Sequence, residues 1–459
     1  MCSSAISAPS KQRLLRYSTP GRALYSRALG LPPLHVAEAQ AVYRPRHPER
    51  TSFYHLIDEH FDRYKLLHEE RFEQKSGPLR TVVARTVEAY LDCGRLENGF
   101  ARIRCPSCRG EHLLAFSCQT RNFCPSCQAK RSALFAEHLE SEVLAPVPHR
   151  HIIFTVPRAL RGIFERERSL LGLLARAAFD VARKAFGTFS RNPDARPGMV
   201  ASIQTFGSFA NFNPHIHALV TDGLLLPGGE FIPLPHLDEK VLDEMFRRTV
   251  LKRLRRKRRL SEQFMNALLS WRHSGFSVYA RQVVHASNQD HTAHIARYLT
   301  RAPVRLDAVG KTSDGMVALT TPPDPKTGAT ARAFDPIEWV HALCTQIPDQ
   351  GQHLVRYYGA YANRSRKRFQ AAEPPPPPGP QHSPALEEQN DPFTRNRRRS
   401  WARLMRKLFL TDPLLCPTCR VEMKVVGMIT EPSVIDKILK HVRAGHGHNP
   451  FEPRAPPAA

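Results

Sequence analysis

At 459 residues the chain is longer than one hydrophobic core usually serves, and two to four domains of about 100 to 200 residues are expected. Sixty-seven Lys and Arg against 42 Asp and Glu give a formal net charge of +25, which favours a polyanionic partner, nucleic acid first. No stretch approaches the roughly 18 consecutive apolar residues of a membrane span and no secretory apolar core opens the chain, so a cytoplasmic, nucleoid-associated protein is expected, its ten cysteines serving as metal ligands or buried thiols.

In chain order, residues 1–50 are rich in Ser, Arg, Ala and Pro without periodicity and read as a disordered leader. Apolar residues at helical spacing, Phe61, Leu66 and Leu67, then Val82, Val83, Val87 and Leu91, predict two helices over residues 53–91. A helix over 132–144 stops at Pro146 and Pro148, and the β-branched run 150–156 is a strand bounded by Pro157. A long helix follows over 170–186. Strands are predicted at 200–205, 208–211 and 215–221, the last closing at the turn pair Asp222-Gly223. Residues 236–269 read as helical and basic, 275–284 as a strand, and 292–299 as a short helix halted ahead of Pro303. The class is α+β: a helical, zinc-ribbon-like Cys-rich region, then an antiparallel sheet with flanking helices. Pro374 to Pro378 mark a Pro-rich linker at 371–392, which cannot form a core, and 393–459 is a basic tail.

Three patterns carry chemistry. Cys105-Pro-Ser-Cys108 and Cys124-Pro-Ser-Cys127 are two C-x2-C knuckles at the spacing of a closed four-thiolate zinc site, structural and not catalytic. Cys93 and Cys118 read as small buried thiols, with ligation by either, or by His112, left open. Cys416 and Cys419, with His441 and His446 downstream, are a further candidate zinc set. The second pattern is His215-Ile216-His217: in a strand the two imidazoles share one face, a two-pronged metal grip, although an isolated triplet of this kind also suits a plain strand. The third is the basic run of Arg247, Arg248, Lys252, Arg253, Arg255, Arg256, Lys257, Arg258 and Arg259, a candidate DNA-backbone track or simply a solvated helix face; residues 395–407 repeat the bias.

The run Cys93-Gly-Arg-Leu-Glu-Asn-Gly-Phe-Ala-Arg-Ile-Arg-Cys105, with Ala115-Phe-Ser-Cys118 and Phe123-Cys-Pro-Ser-Cys127, resembles the zinc-binding domain of rolling-circle transposases of the insertion-sequence ninety-one type, including the common-region (ISCR) group. Pro148-His-Arg-His-Ile-Ile-Phe-Thr-Val-Pro157, Gln204-Thr-Phe-Gly207, Asn213-Pro-His-Ile-His-Ala-Leu-Val-Thr-Asp-Gly223, Arg297-Tyr-Leu-Thr-Arg301 and Val355-Arg-Tyr-Tyr-Gly359 follow the same family in the same order, from about residue 55 to 365. The resemblance implies a zinc-binding domain at 51–145 and an HUH tyrosine transposase domain at 146–370. It also implies His215 and His217 as ligands of a divalent ion, Mg²⁺ or Mn²⁺, and Tyr298 as the nucleophile. The implied activity is nicking and rejoining of single-stranded DNA at element ends through a 5′-phosphotyrosine, with structural Zn²⁺ in the amino-terminal domain.

Many relatives carry two tyrosines one helical turn apart, but here His294 occupies the first position and Ala302 follows Tyr298 by four, so the chain is similar to the one-tyrosine members. His294 and Gln204 are competing third ligands of the divalent ion. Tyr357 and Tyr361 share the i, i+4 spacing but fall in a block that looks like a structural end of the domain. Two other readings stay open: a rolling-circle replication initiator with the same active site, and a non-catalytic zinc-dependent DNA-binding protein.

Overall fold

The computed structural model describes residues 47–370, apart from 208, 286–288, 322, 324–327 and 329, together with 414–442. The expected leader up to residue 46, the Pro-rich linker, the basic cluster at 395–407 and His446 lie outside the described residues.

The centre is a five-stranded antiparallel sheet in the order β12-β4-β5-β3-β8, built from β3 (His149–Thr155), β4 (Gly198–Phe206), β5 (Phe212–Thr221), β8 (Ser277–Val284) and β12 (Val355–Gly359). The period of two divides its three central strands, β4, β5 and β3. Ile152, Phe154, Ala201, Ile203, Ile216, Ala218 and Val220 face one layer of helices: α4 (Arg158–Arg166), α5 (Leu171–Gly187), α6 (Glu239–Arg256) and α7 (Glu262–Ser270). On the opposite side Val200, Leu219 and Val284 pack with Ile295, Ala296 and Leu299 of α8 (Gln289–Leu299) and with Ala136 of α3 (Pro125–His138). His215, His217 and Gln204 belong to this second side by alternation. A short hairpin, β6 (Gly223–Leu225) with β7 (Phe231–Pro233), extends β5.

Two expected elements differ. Residues 209–211 form a turn, with Gly207 N–H donating to Asn211 O and Ala210 at φ 56°, so β4 ends at Phe206 where a further strand was expected. The basic helix is broken: α6 ends at Arg256, Arg258 takes φ 57°, and Ser261 caps α7 by accepting from Phe264 N–H.

The amino-terminal helices α1 (Ser52–His68) and α2 (Thr81–Leu91) do not bury their apolar faces within residues 51–145 alone. Phe53, Tyr64, Val83, Val87 and Tyr90 share a core with Trp339 and Val340 of α9 (Pro336–Cys344) and with Val309, Val317 and Leu319 of a small sheet, β9 (Val309–Lys311), β10 (Val317–Thr320) and β11 (Ala331–Phe334). The tail also docks. β1 (Phe100–Arg104) pairs antiparallel with β2 (Glu111–Ala115) on one edge and with β13 (Lys424–Ile429) on the other, and Ile435 and Leu439 of α10 (Pro432–His441) close over Phe100.

Candidate functional site

β5 presents His215 and His217 on the side of the sheet that α8 covers, while Ile216 enters the opposite core. Gln204 on β4 is the direct cross-strand partner of His215. From the other flank β3 brings His151, whose Nε2 lies 3.0 Å from His217 Nδ1. A bulge in β8 completes the row: His151 opposes Gln282 and Ile153 opposes Tyr279, so Ile152 of β3 faces two residues of β8, Ala280 and Arg281. The extra residue reverses the side-chain alternation. Val278 and Ala280 point into the helical core, whereas Gln282 meets His151 Nδ1 at 3.1 Å and donates to His291 Nε2 of α8 at 2.9 Å.

These contacts set the ring protonation. Burial holds His215 down to about 4, His217 well below its ordinary value and His151 below it, so all three rings are neutral near pH 7. Asn213 O takes the Nδ1–H of His215 at 2.7 Å. Gln282 Oε1 takes the Nδ1–H of His151, whose Nε2 then accepts from His217 Nδ1. Both remaining Nε2 atoms carry lone pairs and face each other at 3.0 Å. Such a pair repels unless a cation lies between, and donors at right angles about 2.1 Å from an ion sit about 3.0 Å apart. Gln204 donates through Nε2 to the carbonyls of Tyr298 and Leu299, which leaves its buried Oε1 with no partner. Two imidazole nitrogens and this oxygen are a donor set suited to a divalent ion.

α8 places Tyr298 on the same spot: its ring lies edge-on to His217 at 5.1 Å and to His151 at 6.3 Å. The Arg301 guanidinium covers that ring at 4.6 Å, and its buried Nε has no partner. Arg301 and Arg161 are the cations whose charge bears on His215. His294 is exposed, whereas His291 of the same helix reaches Gln282 beside the histidine row. Tyr361 is buried, its hydroxyl held by His149 Nε2 at 2.6 Å and by Ala145 N–H, and Tyr358 stacks on Phe179, which fits a structural role for this block. Sequence reasoning missed His151, Gln282, His291 and Arg301. The first was visible as a second period-two histidine pair, His149 and His151, and Arg301 as the residue one turn beyond Tyr298.

The expected four-thiolate site of Cys105, Cys108, Cys124 and Cys127 does not form. Instead Cys93, Cys118, Cys124 and Cys127 form one group and Cys105, Cys108, Cys416 and Cys419 another, each with its sulfurs within 4.8 Å of one another. The reason is local: Cys124 caps α3 with Pro125 in its first turn, whereas Cys105-Pro-Ser-Cys108 closes a hairpin turn between β1 and β2. In the first group Sγ separations of 3.9 Å (Cys93 to Cys124), 3.8 Å (Cys93 to Cys127) and 3.6 Å (Cys118 to Cys127) match the roughly 3.8 Å edge of a tetrahedron with Zn–S near 2.3 Å. Cys93 and Cys118 therefore sit with Cys124 and Cys127 in one sulfur cluster, where packing as separate small thiols was expected. α3, opened by this cluster, reaches the end of α8: Gln128 and Ser132 both donate to Thr300 O at 2.6 Å.

The basic run is not one free cationic face. Arg247 and Arg248 pair with Glu244, Arg253 with Asp180, Arg255 with Glu262 and Arg259 with Glu167; Lys252, Arg256, Lys257 and Arg258 are exposed. It also lies across the sheet from His215 and His217, because Leu242, Phe246 and Val250 of α6 pack on the Ile216 side.

Residues 198–368 match the family described as putative transposase, and residues 65–156 the family described as transposase zinc-binding domain. Among curated proteins, the chain is 27% identical over 321 residues to putative transposase y4qJ of Sinorhizobium fredii, an alignment covering 65% of this chain and 79% of that one. It is 25% identical over 304 residues to the transposase for insertion sequence element IS801 of Pseudomonas savastanoi pv. phaseolicola, covering 63% and 73%. No solved structure matches the chain. Among the described residues no helix is long and apolar enough to cross a membrane.

Proposed function

From a chain that belongs to the transposases of the insertion-sequence ninety-one type, with their amino-terminal zinc-binding domain, we infer a DNA transposase that nicks and rejoins single-stranded element ends through a 5′-phosphotyrosine on Tyr298. One juxtaposition carries the reading: the Tyr298 ring stands against His217, whose Nε2 faces that of His215, under the guanidinium of Arg301.

The step is an in-line displacement. Tyr298 Oη bonds to the scissile phosphorus as the bond to the 3′ oxygen breaks; the phenol releases one proton and the 3′ oxygen takes one up. Arg301 sits where its charge stabilises both the developing phenolate and the non-bridging oxygens. His215, His217 and Gln204 Oε1 would hold Mg²⁺ or Mn²⁺, which when bound supplies Lewis-acid polarisation of the phosphate. Because the tyrosyl ester keeps the free energy of the broken bond, a 3′-hydroxyl can displace Tyr298 and restore a phosphodiester without an external energy source. With His294 exposed where many relatives keep a second tyrosine, the strands are exchanged one covalent intermediate at a time. Zinc on the thiolates of Cys93, Cys118, Cys124 and Cys127 is structural, a closed set in which Cys93, Cys124 and Cys127 are buried.

The test incubates the purified chain with single-stranded element termini and Mn²⁺ and maps any linked nucleotide by mass spectrometry. Wild type and Tyr357→Phe are expected to yield an adduct on Tyr298, and Tyr298→Phe none. An adduct persisting in Tyr298→Phe sinks the assignment.

A further inference from the structure

Cys416-Pro-Thr-Cys419 lies far outside the zinc-binding region at residues 65–156, yet it is folded as a copy of Cys105-Pro-Ser-Cys108. In each, the second cysteine's backbone N–H points to the first sulfur at 3.5 Å. In each, the first cysteine's carbonyl accepts from the following arginine, Arg109 or Arg420, at 3.1 and 2.9 Å, and that arginine takes a positive φ, 61° and 58°. Each turn is then closed by the first cysteine's N–H donating to the carbonyl two residues past the second, Gly110 or Val421. N–H groups aimed at sulfur favour thiolate, and two such knuckles face each other with Cys108 and Cys416 Sγ 3.7 Å apart.

We propose that Cys105, Cys108, Cys416 and Cys419 bind a second structural zinc, which staples residues 414–442 onto the β1-β2 hairpin. The surroundings agree with a built site. Ile103, Leu114, Leu414 and Met423 wall it, and β13 continues from the tail knuckle into the pairing with β1. The ligands come from positions 308 residues apart in the case of Cys108 and Cys416, so the ion closes a very long loop, whose ends would otherwise separate freely. Cys108 is exposed and Cys419 half-buried, so this ion exchanges before that of the buried Cys93 centre.

The full chain, purified with zinc, is expected to contain two Zn²⁺ per chain by elemental analysis, with four sulfur ligands per ion in the charge-transfer spectrum of the Co²⁺-substituted protein. Cys108→Ser and Cys416→Ser are each expected to bring the count to one, although they lie 308 residues apart, and to leave the Cys93 centre filled. Trypsin cleavage within 395–407 should leave two fragments that co-elute from a sizing column until a chelator removes one zinc. A wild-type count of one, disulfides in place of zinc at these positions, or a count still at two in Cys416→Ser would each overturn the proposal. None of these readouts depends on DNA cleavage.

Discussion

At the scale of single residues the site is a set of neutral groups beside a fixed charge. Arg301 keeps a buried, unpartnered Nε next to a phenol and two imidazoles, a cost of about 1–3 kcal/mol that an arriving phosphate would offset. Arg301→Ala is expected to lower the single-turnover rate of adduct formation by about 10²-fold or more, as for loss of one positioned donor, with zinc content and melting temperature little changed; an unaltered rate would remove Arg301 from the mechanism. Buried histidines away from the ion set the acid limit. His341, stacked on Phe72 at 4.0 Å and bonded to Tyr64 and Ser76, is held by burial at about 3, and His149 likewise at about 4. Below about pH 6.5 the unfolded chain binds protons these rings refuse, so their stability is complete above that pH and is lost as pH falls toward 3 to 4, at about 1.4 kcal/mol per pH unit for each ring. Thermal melts from pH 7 to 4 should show this slope, and His341→Phe, which keeps the stack, should reduce it. His215 and His217 were legible in the sequence because alternation alone puts them on one face. Gln204 was legible as a candidate, and its direct opposition to His215 needed the register.

At the scale of elements, the sequence pattern located strands β3, β5 and β8 and helices α5 and α8 to within a few residues, since β-branched runs and turn signals are local. What it could not carry were consequences of one-residue changes in geometry. Counting by twos along β8 puts Gln282 in the core with Val278 and Ala280; the bulge turns it to the histidines. Likewise one spelling, Cys-Pro-Ser-Cys, serves as a hairpin knuckle at Cys105 and as a helix opening at Cys124, and only the second kind of backbone carries a ligand pair into α3. That helix links the Cys93 cluster to the segment that carries Tyr298. Gln128 accepts from Asn122 N–H and donates to Thr300 O, two residues from Tyr298. Gln128→Ala is therefore predicted to lower the adduct rate about 10-fold while leaving zinc stoichiometry unchanged, a combination that elemental analysis and gel assay together read out; loss of zinc in this variant would show the helix to be part of the metal scaffold instead.

At the scale of the whole molecule, positive charge is spread over several faces. Beyond the exposed residues of the basic run, Arg176, Arg183, Arg191, Arg196 and Arg364 line a cavity of about 810 Å³ beside β12. Four lysines and arginines across the sheet from Tyr298 suit positioning of DNA, not the reaction itself. Lys252, Arg256, Lys257 and Arg258 changed together to Ala should reduce the salt dependence of DNA binding by about 0.7 in log–log slope for each phosphate they neutralise, with the rate at saturating DNA preserved. Fluorescence anisotropy at several salt concentrations separates this from a solvated, uninvolved face, which would leave the slope as in wild type. The shared sheet, finally, places the fold on a clock. β1 is made near residue 100, but the strand that covers its outer edge ends at Ile429. At about 5 to 20 residues per second, that edge and its two thiols wait on the order of half a minute during synthesis. Through that interval β1 is an open template for wrong partners, and a ribosome that stops early releases a chain whose sheet stays unclosed.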